Sequence, residues 1–136
     1  MVRCDVVIPV WNQLAHTKAC VESIAASTGN ECASLIIIDN ASNPETARYL
    51  ASLPGTLSIP VTVIRNEANL GFIKAANQGL AASKAACVCV LNNDTIVTKG
   101  WLDRMMEAAL SDDAIGIVNP SSNNLGRRPV KGQSLE

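Results

Sequence analysis

Aromatic side chains are scarce: Trp11, Tyr49, Phe72 and Trp101 are the only four in 136 residues. That excludes the stacking platform on which single-stranded nucleic acids are held. A basic excess is also missing. Eleven Lys and Arg against twelve Asp and Glu leave a net charge of −1, which argues against nucleic acid as a partner. No apolar run approaches the ~20 residues of a membrane helix. The longest, such as Leu35–Ile38 and Cys87–Leu91, are strand-sized, so no transmembrane segment is expected. No secretory leader is legible, because Val6–Val10 is too short and follows Asp5. The single histidine, His16, falls in a helical stretch and cannot build a histidine metal site or a triad. The cysteines, Cys4, Cys20, Cys32, Cys87 and Cys89, are odd in number and irregular in spacing. They do not make a disulfide framework, and they read as small core residues in a reducing compartment.

Several motifs are missing as well. A dinucleotide fingerprint would follow the first strand, where Val10-Trp11-Asn12-Gln13 stands instead. There is no phosphate-binding G-x-x-x-x-G-K-[ST] loop. The Gly-rich, Arg-containing loop of sugar-activating nucleotidyltransferases is also absent, as is the G-x-S-x-G turn of serine hydrolases. A phosphoacceptor signalling domain needs acids after the first strand, and Trp11-Asn12-Gln13 supplies none.

What is present is an alternation. Apolar residues make up 48 % and charged residues 17 %, a globular composition in a length that suits one domain. Val6–Val10, Leu35–Ile38, Val61–Ile64, Cys87–Leu91 and Ile115–Val118 are near-continuous apolar runs. Such runs suit strands buried on both faces of a parallel sheet. Helical patterns lie between them. Gln13–Ser27 sets Leu14, Val21, Ile24 and Ala25 on one face. Ser42-Asn43-Pro44-Glu45 opens a second helix with Ala47, Leu50 and Ala51 aligned. A third runs from Phe72 to Ser83 with Phe72, Ala76 and Leu80 at steps of four. A fourth carries the stripe Leu102, Met105, Met106, Ala109, Leu110. The order predicts an α/β fold with a mostly parallel sheet and helices on both faces. The chain from Asn119 onward is polar and Gly/Pro-containing, and residues 126–136 read as a loop or disordered tail. Leu135-Glu136 has the position and type of a cloning scar.

The segments that follow the strands are short, polar and rich in asparagine. They are Trp11-Asn12, Asp39-Asn40-Ala41-Ser42-Asn43, Arg65 to Gly71, Asn92-Asn93-Asp94-Thr95, and Asn119 to Asn124. In an open α/β sheet they collect at the carboxyl edge of the strands, where ligands bind. Helix capping and turns account for Asn43 and Asn69, but less well for Asn92-Asn93-Asp94 after an apolar strand. One acid in that setting suits a hard divalent cation, Mg²⁺ or Mn²⁺, whose shell substrate phosphates complete. Lys74 would add positive charge toward a diphosphate, or be a solvated helix lysine. Asp39 would accept a hydrogen bond from a base or a ribose hydroxyl. Trp11 would stack on a base, or pack at the strand end.

Four segments resemble the family 2 inverting nucleotide-sugar glycosyltransferases of GT-A (Rossmann-like) fold, with the rhamnosyltransferase-like members most similar. They are Val7-Ile8-Pro9-Val10-Trp11-Asn12, Ile36-Ile37-Ile38-Asp39-Asn40-Ala41-Ser42, Asn69-Leu70-Gly71-Phe72 with Asn77 and Gly79, and Leu91-Asn92-Asn93-Asp94. The resemblance implies a nucleotide-sugar-binding GT-A half-domain over residues 1–125. Pro9, Val10, Trp11 and Asn12 would line the nucleotide pocket, and Asp39 with Asn40 would meet the base or ribose. Asn69, Gly71 and Lys74 would lie under the nucleotide and its diphosphate. Asn92, Asn93 and Asp94 match the family's D-x-D motif with Asn92 in place of its first acid, which leaves Asp94 as metal ligand. The implied reaction moves a sugar from a nucleoside-diphosphate sugar to an acceptor hydroxyl, saccharide or lipid-linked, with inversion. The implied setting is polysaccharide biosynthesis in the cytoplasm, at the inner face of the membrane for a longer protein.

Family members run to well over 200 residues, and their second half carries the acceptor site and the general base. No acid follows Asp113 except Glu136. The chain is therefore expected to be a truncated donor-binding half that lacks its base and is inactive alone. A non-catalytic nucleotide-sugar-binding module is the alternative from a different class. A structural α/β domain whose polar loops bind nothing is a third.

Overall fold

The computed structural model describes residues 2–121. Four strands alternate with four helices: β1 (Cys4–Val10), α1 (Leu14–Ser27), β2 (Cys32–Asp39), α2 (Pro44–Ser52), β3 (Val61–Arg65), α3 (Phe72–Ala82), β4 (Cys87–Val90) and α4 (Trp101–Ala109). All strand pairs are parallel, in the order β3-β2-β1-β4. The sheet grows from β1 through β2 to β3, and the chain then crosses back to lay β4 on the other side of β1. Strand order therefore reverses between β1 and β4. The expected α/β architecture is present.

The central strand is buried along its whole length. That includes Asp5, 5 % exposed, whose carboxylate is fully engaged. Its Oδ1 accepts from the Ser34 hydroxyl at 2.7 Å, and its Oδ2 accepts from the Ser83 hydroxyl at 2.7 Å. The Lys84 and Ala85 amides also donate to Oδ2. Burial pushes the Asp5 carboxyl up, but these hydrogen bonds together outweigh it and hold it below its ordinary value. Asp5 thus pins β1 to β2 and to the α3–β4 turn at the amino edge of the sheet.

The two sheet faces are covered unequally. On one, Val6, Ile8 and Val10 meet Cys20, Val21 and Ile24 of α1, Leu50 of α2, and Leu102 and Met106 of α4. On the other, Val7, Ile36 and Ile38 meet Ala75 of α3. The expected faces of α1 and α4 are largely those observed, although α1 buries Thr17 and Cys20 while Leu14 and Ala25 are half-buried. Leu110 of the expected α4 stripe is exposed, just past the helix end.

Of the expected α3 face, Phe72, Ala76 and Leu80, Ala76 alone packs inward. Phe72 and Leu80 are exposed, and Ala75, Ala76 and Gly79 are buried. The cause is close approach: a Cβ on Gly79 would lie 2.1 Å from Cγ1 of Val7. Small residues let α3 sit on a sheet face already crowded by β-branched side chains.

Ile115–Val118, expected as a fifth strand, makes no strand either, and Ile117 is 84 % exposed. Its available partner is the four-residue edge strand β4, and Gly116 in its middle weakens a short strand further. The expected tail, residues 126–136, lies outside the described residues. The cysteines behave as core thiols: Cys4, Cys20 and Cys32 are buried, Cys87 and Cys89 half-buried, and all are free.

Candidate functional site

The carboxyl ends of β2, β1 and β4 lie side by side, with neighbouring parallel strands about 4.8 Å apart. The segments that leave them build the candidate site. After β1, Asn12 and Gln13 both take the left-handed conformation, at φ 58° and 59°. Non-glycine residues adopt it at a cost, and here hydrogen bonds hold it. The Asn12 amide donates to the Ser42 hydroxyl at 2.9 Å, and Asn12 Oδ1 accepts from the Asn43 amide at 2.7 Å. The Thr17 hydroxyl donates to the Gln13 carbonyl at 3.1 Å. This turn leaves Trp11 57 % exposed at the strand end. Pro9 and Val10 stay buried within β1, so of the four residues expected here Trp11 and Asn12 reach the surface.

Asp39 ends β2 and is 1 % exposed. Its Oδ1 accepts from the Ser42 amide at 2.9 Å, and its Oδ2 is ion-paired to Arg65. Arg65 ends β3 directly opposite Asp39 in the ladder. Its other Nη donates to the Ser42 carbonyl at 3.1 Å. The carboxylate that the sequence offers to a base or ribose is thus already fixed by two donors of its own chain.

Asn40 is likewise engaged within the protein. Its Nδ2 donates to Asn69 Oδ1 at 2.7 Å, and its Oδ1 accepts from the Leu70 amide at 2.9 Å and from Asn66 Nδ2 at 3.1 Å. Asn66 and Gln78 exchange two 2.8 Å hydrogen bonds. These amides tie the β2 and β3 loops to α3. Asn69 Oδ1 also accepts from the Gly71 amide at 2.9 Å. Gly71 enters α3 at φ 81°, a conformation that favours glycine. The first turn of α3 has neither a side-chain cap nor an acid, and Lys74 stands exposed beside it. Its local field is therefore positive.

After β4, Asn93 is anchored, its Nδ2 donating to the Thr17 hydroxyl at 3.0 Å. The Asn92 carbonyl accepts from the Cys20 thiol at 3.6 Å, and the Asn92 side chain is exposed. Asp94 is exposed, and among the described residues no ion pair engages its carboxylate. The described residues contain no group of three or more His, Cys, Asp or Glu placed to hold a metal ion. One free carboxylate fits a hard cation whose remaining ligands are phosphate oxygens and water.

The residues that sequence reading passed over are Ser42, Arg65, Asn66 and Gln78. They lie in or near the polar segments, but their roles depend on strand register. Two hollows in the surface lie elsewhere. One, about 590 Å³, runs along the outer side of β4 between α4 and residues 112–119. The other, about 650 Å³, lies at the amino edge between Arg3, Ser34, Thr62 and Lys84. Neither is lined by Trp11, Asp39, Lys74 or Asp94.

The fold is an α/β domain of the GT-A kind. Its solved likenesses include Staphylococcus aureus TarS 1-349, at TM-score 0.69 and 19 % identity, covering 81 % of this chain and 32 % of that one. A complex of the same protein with UDP-GlcNAc matches equally well, at TM-score 0.69, covering 31 % of that chain. Residues 5–134 match the family described as glycosyl transferase family 2, and the chain belongs to that family. Polypeptide N-acetylgalactosaminyltransferase 13 of Rattus norvegicus is 32 % identical over 111 residues, 81 % of this chain and 19 % of the rat protein. An uncharacterized glycosyltransferase of Haemophilus influenzae is 32 % identical over 114 residues, 84 % of this chain and 37 % of its own length. The chain thus spans well under half of these relatives. No helix among the described residues is long and apolar enough to cross a membrane.

Proposed function

We propose that this chain binds the donor of a glycosyltransferase, a nucleoside-diphosphate sugar, at the carboxyl edge of its sheet. The reaction is transfer of the sugar to an acceptor hydroxyl with inversion, assisted by Mg²⁺ or Mn²⁺. One observation carries the reading: Trp11 and Asp94, both exposed, follow the two strands, β1 and β4, between which strand order reverses. Crevices at such switch points are where open α/β sheets take nucleotides.

In this reading Trp11 lies against the base, while Asp39 and Asn40 frame the base and ribose. Pro9, Val10 and Asn12 support that wall. Asn69 and Gly71 set the start of α3, where Lys74 and the uncapped first turn face the diphosphate. Asn92 and Asn93 shape the loop that presents Asp94. A divalent ion held by Asp94 supplies stabilisation of negative charge on the departing diphosphate. Deprotonating the acceptor needs a carboxylate near the anomeric carbon, and none of the residues named here takes that role. The acceptor class that suits the reading is a saccharide or lipid-linked saccharide on the cytoplasmic side of a membrane, and the rhamnosyltransferase-like resemblance favours a hexose or deoxyhexose.

A donor-binding module without turnover is the second reading. It is favoured by the carboxylates after the strands: Asp39 is engaged by Arg65, which leaves Asp94 as the exposed one among them. Thermal melting with UDP, GDP, CDP and dTDP, with and without Mn²⁺, tests donor binding. At a ligand concentration of 100 Kd, binding to the folded state adds about 2.7 kcal/mol, a rise of several degrees in Tm. A metal-dependent rise with one nucleotide supports the reading, and none with any of them rejects it. Transfer from the matching nucleotide sugar to water or an acceptor would reject the module without turnover.

A further inference from the structure

Arg65 stands apart from the family motifs, yet it joins the segments after β1, β2 and β3 at the carboxyl edge of the sheet. From the end of β3 its guanidinium pairs with Asp39 at the end of β2 and donates to the Ser42 carbonyl at 3.1 Å. Ser42 in turn holds the β1 loop, accepting on its hydroxyl from the Asn12 amide at 2.9 Å. The neighbouring Asn43 amide donates to Asn12 Oδ1 at 2.7 Å. Asn12 and Gln13 are kept left-handed by these contacts, and Trp11 is the residue before them.

We propose that Arg65 is a positioning residue, whose planar guanidinium locks the segments after β1, β2 and β3 into one frame and thereby sets the pose of Trp11 and Asp39 at the nucleotide subsite. The subsite rests on the donor-binding reading above; the frame does not. The geometry is specific to arginine. Two Nη donors reach two different acceptors, a carboxylate and a carbonyl, which a lysine ammonium at the end of a flexible stem does not match. With Arg65 removed, Asp39 stays buried and loses its counter-charge. Ser42 loses a partner on its carbonyl, which loosens the residue whose hydroxyl accepts from the Asn12 amide and, through it, the turn after Trp11.

The test uses the Trp101→Phe background, in which Trp11 is the sole tryptophan. Arg65→Lys, Arg65→Gln and Arg65→Ala are compared by Trp11 emission and acrylamide quenching without ligand, then by titration of the nucleoside diphosphate that binds the unsubstituted protein. The expected result is a change in Trp11 emission and quenching in Arg65→Ala and Arg65→Gln at temperatures where all variants remain folded. Nucleotide affinity should fall about tenfold or more, the loss expected when a charged partner is removed, with partial recovery in Arg65→Lys. Unchanged Trp11 emission and quenching in Arg65→Ala overturns the proposal. So does a fall in melting temperature with Trp11 signals intact, because that is a structural role alone. If the unsubstituted protein binds no nucleoside diphosphate, the donor reading fails, while the ligand-free Trp11 measurements still decide the frame.

Discussion

Alanine at position 79 should lift α3 off the sheet. Gly79 is not in a left-handed conformation, so alanine meets no backbone strain there, and in a helix it gains up to about 1 kcal/mol over glycine. Packing opposes this gain. The new Cβ would stand 2.1 Å from Cγ1, 3.0 Å from Cγ2 and 3.1 Å from Cβ of Val7. Carbon–carbon contact needs about 3.5 Å or more, so the shortfall is about 1.4 Å. Val7 is fully buried in the central strand and, being β-branched, cannot rotate away cheaply. Overpacking of this kind costs about 1–3 kcal/mol, and the shortfall of about 1.4 Å against fully buried Val7 puts it toward the upper end, which leaves a net destabilisation of up to about 2 kcal/mol after the helix gain. Urea unfolding reads it as a lower midpoint at unchanged slope. Val7→Ala alone opens a cavity and costs about 2 kcal/mol. The double substitution, in which one methyl fills space left by the other, should be more stable than the sum predicts by about 1 kcal/mol or more. A Gly79→Ala protein as stable as the parent, with additive behaviour in the double, would refute the close-approach account of why α3 buries its small face.

Three further outcomes follow from the same contacts. Because the Asp5 carboxyl is held below its ordinary value of 3.8, its contribution is complete above that pH and is lost as pH falls through the depressed folded value; Asp5→Asn should cost about 1–3 kcal/mol at pH 7 and flatten the acid limb of the stability curve, read by unfolding at pH 2–7. The buried Thr46 hydroxyl has no hydrogen-bond partner among the described residues, so Thr46→Val should raise stability by about 1 kcal/mol, and a fall in Tm would contradict an unsatisfied hydroxyl there. Burial pushes the Cys4 thiol up to about 12 and those of Cys20, Cys32 and Cys89 to about 11; at pH 8 these four should react with a disulfide reagent far more slowly in the folded protein than in denaturant, which labelling followed by peptide mapping measures.

Much of the fold is written in local pattern. The runs of β1 and β2 are apolar without alternation because helices cover both faces, and Asn43-Pro44 starts α2 with the Asn43 side chain accepting from the Thr46 amide at 2.9 Å. The misreadings arise where tertiary contacts decide. Periodicity points to Phe72, Ala76 and Leu80 as the inner face of α3, but the crowded sheet beneath takes the small Ala76 with Ala75 and Gly79 and leaves Phe72 and Leu80 outside. Ile115–Val118 has a strand's composition, yet pairing needs a neighbour long enough to hold it. At the carboxyl edge, the positions of Trp11 and Asp94 just past β1 and β4 are legible because strand ends are legible, and that of Lys74 because a glycine opens α3. The Asp39–Arg65–Ser42 frame was not, since it depends on Asp39 and Arg65 falling opposite each other in the β2–β3 register.

The donor site is tested most directly by calorimetric titration of the preferred nucleoside diphosphate into this protein and into Asp94→Asn, each with Mn²⁺ and with a chelator. Asp94 is exposed and unpaired among the described residues, so the substitution should leave the fold intact. The account predicts binding that requires Mn²⁺ and weakens at least tenfold in Asp94→Asn, a loss of about 1.4 kcal/mol. Equal affinity with and without the metal, or in the two proteins, would contradict it.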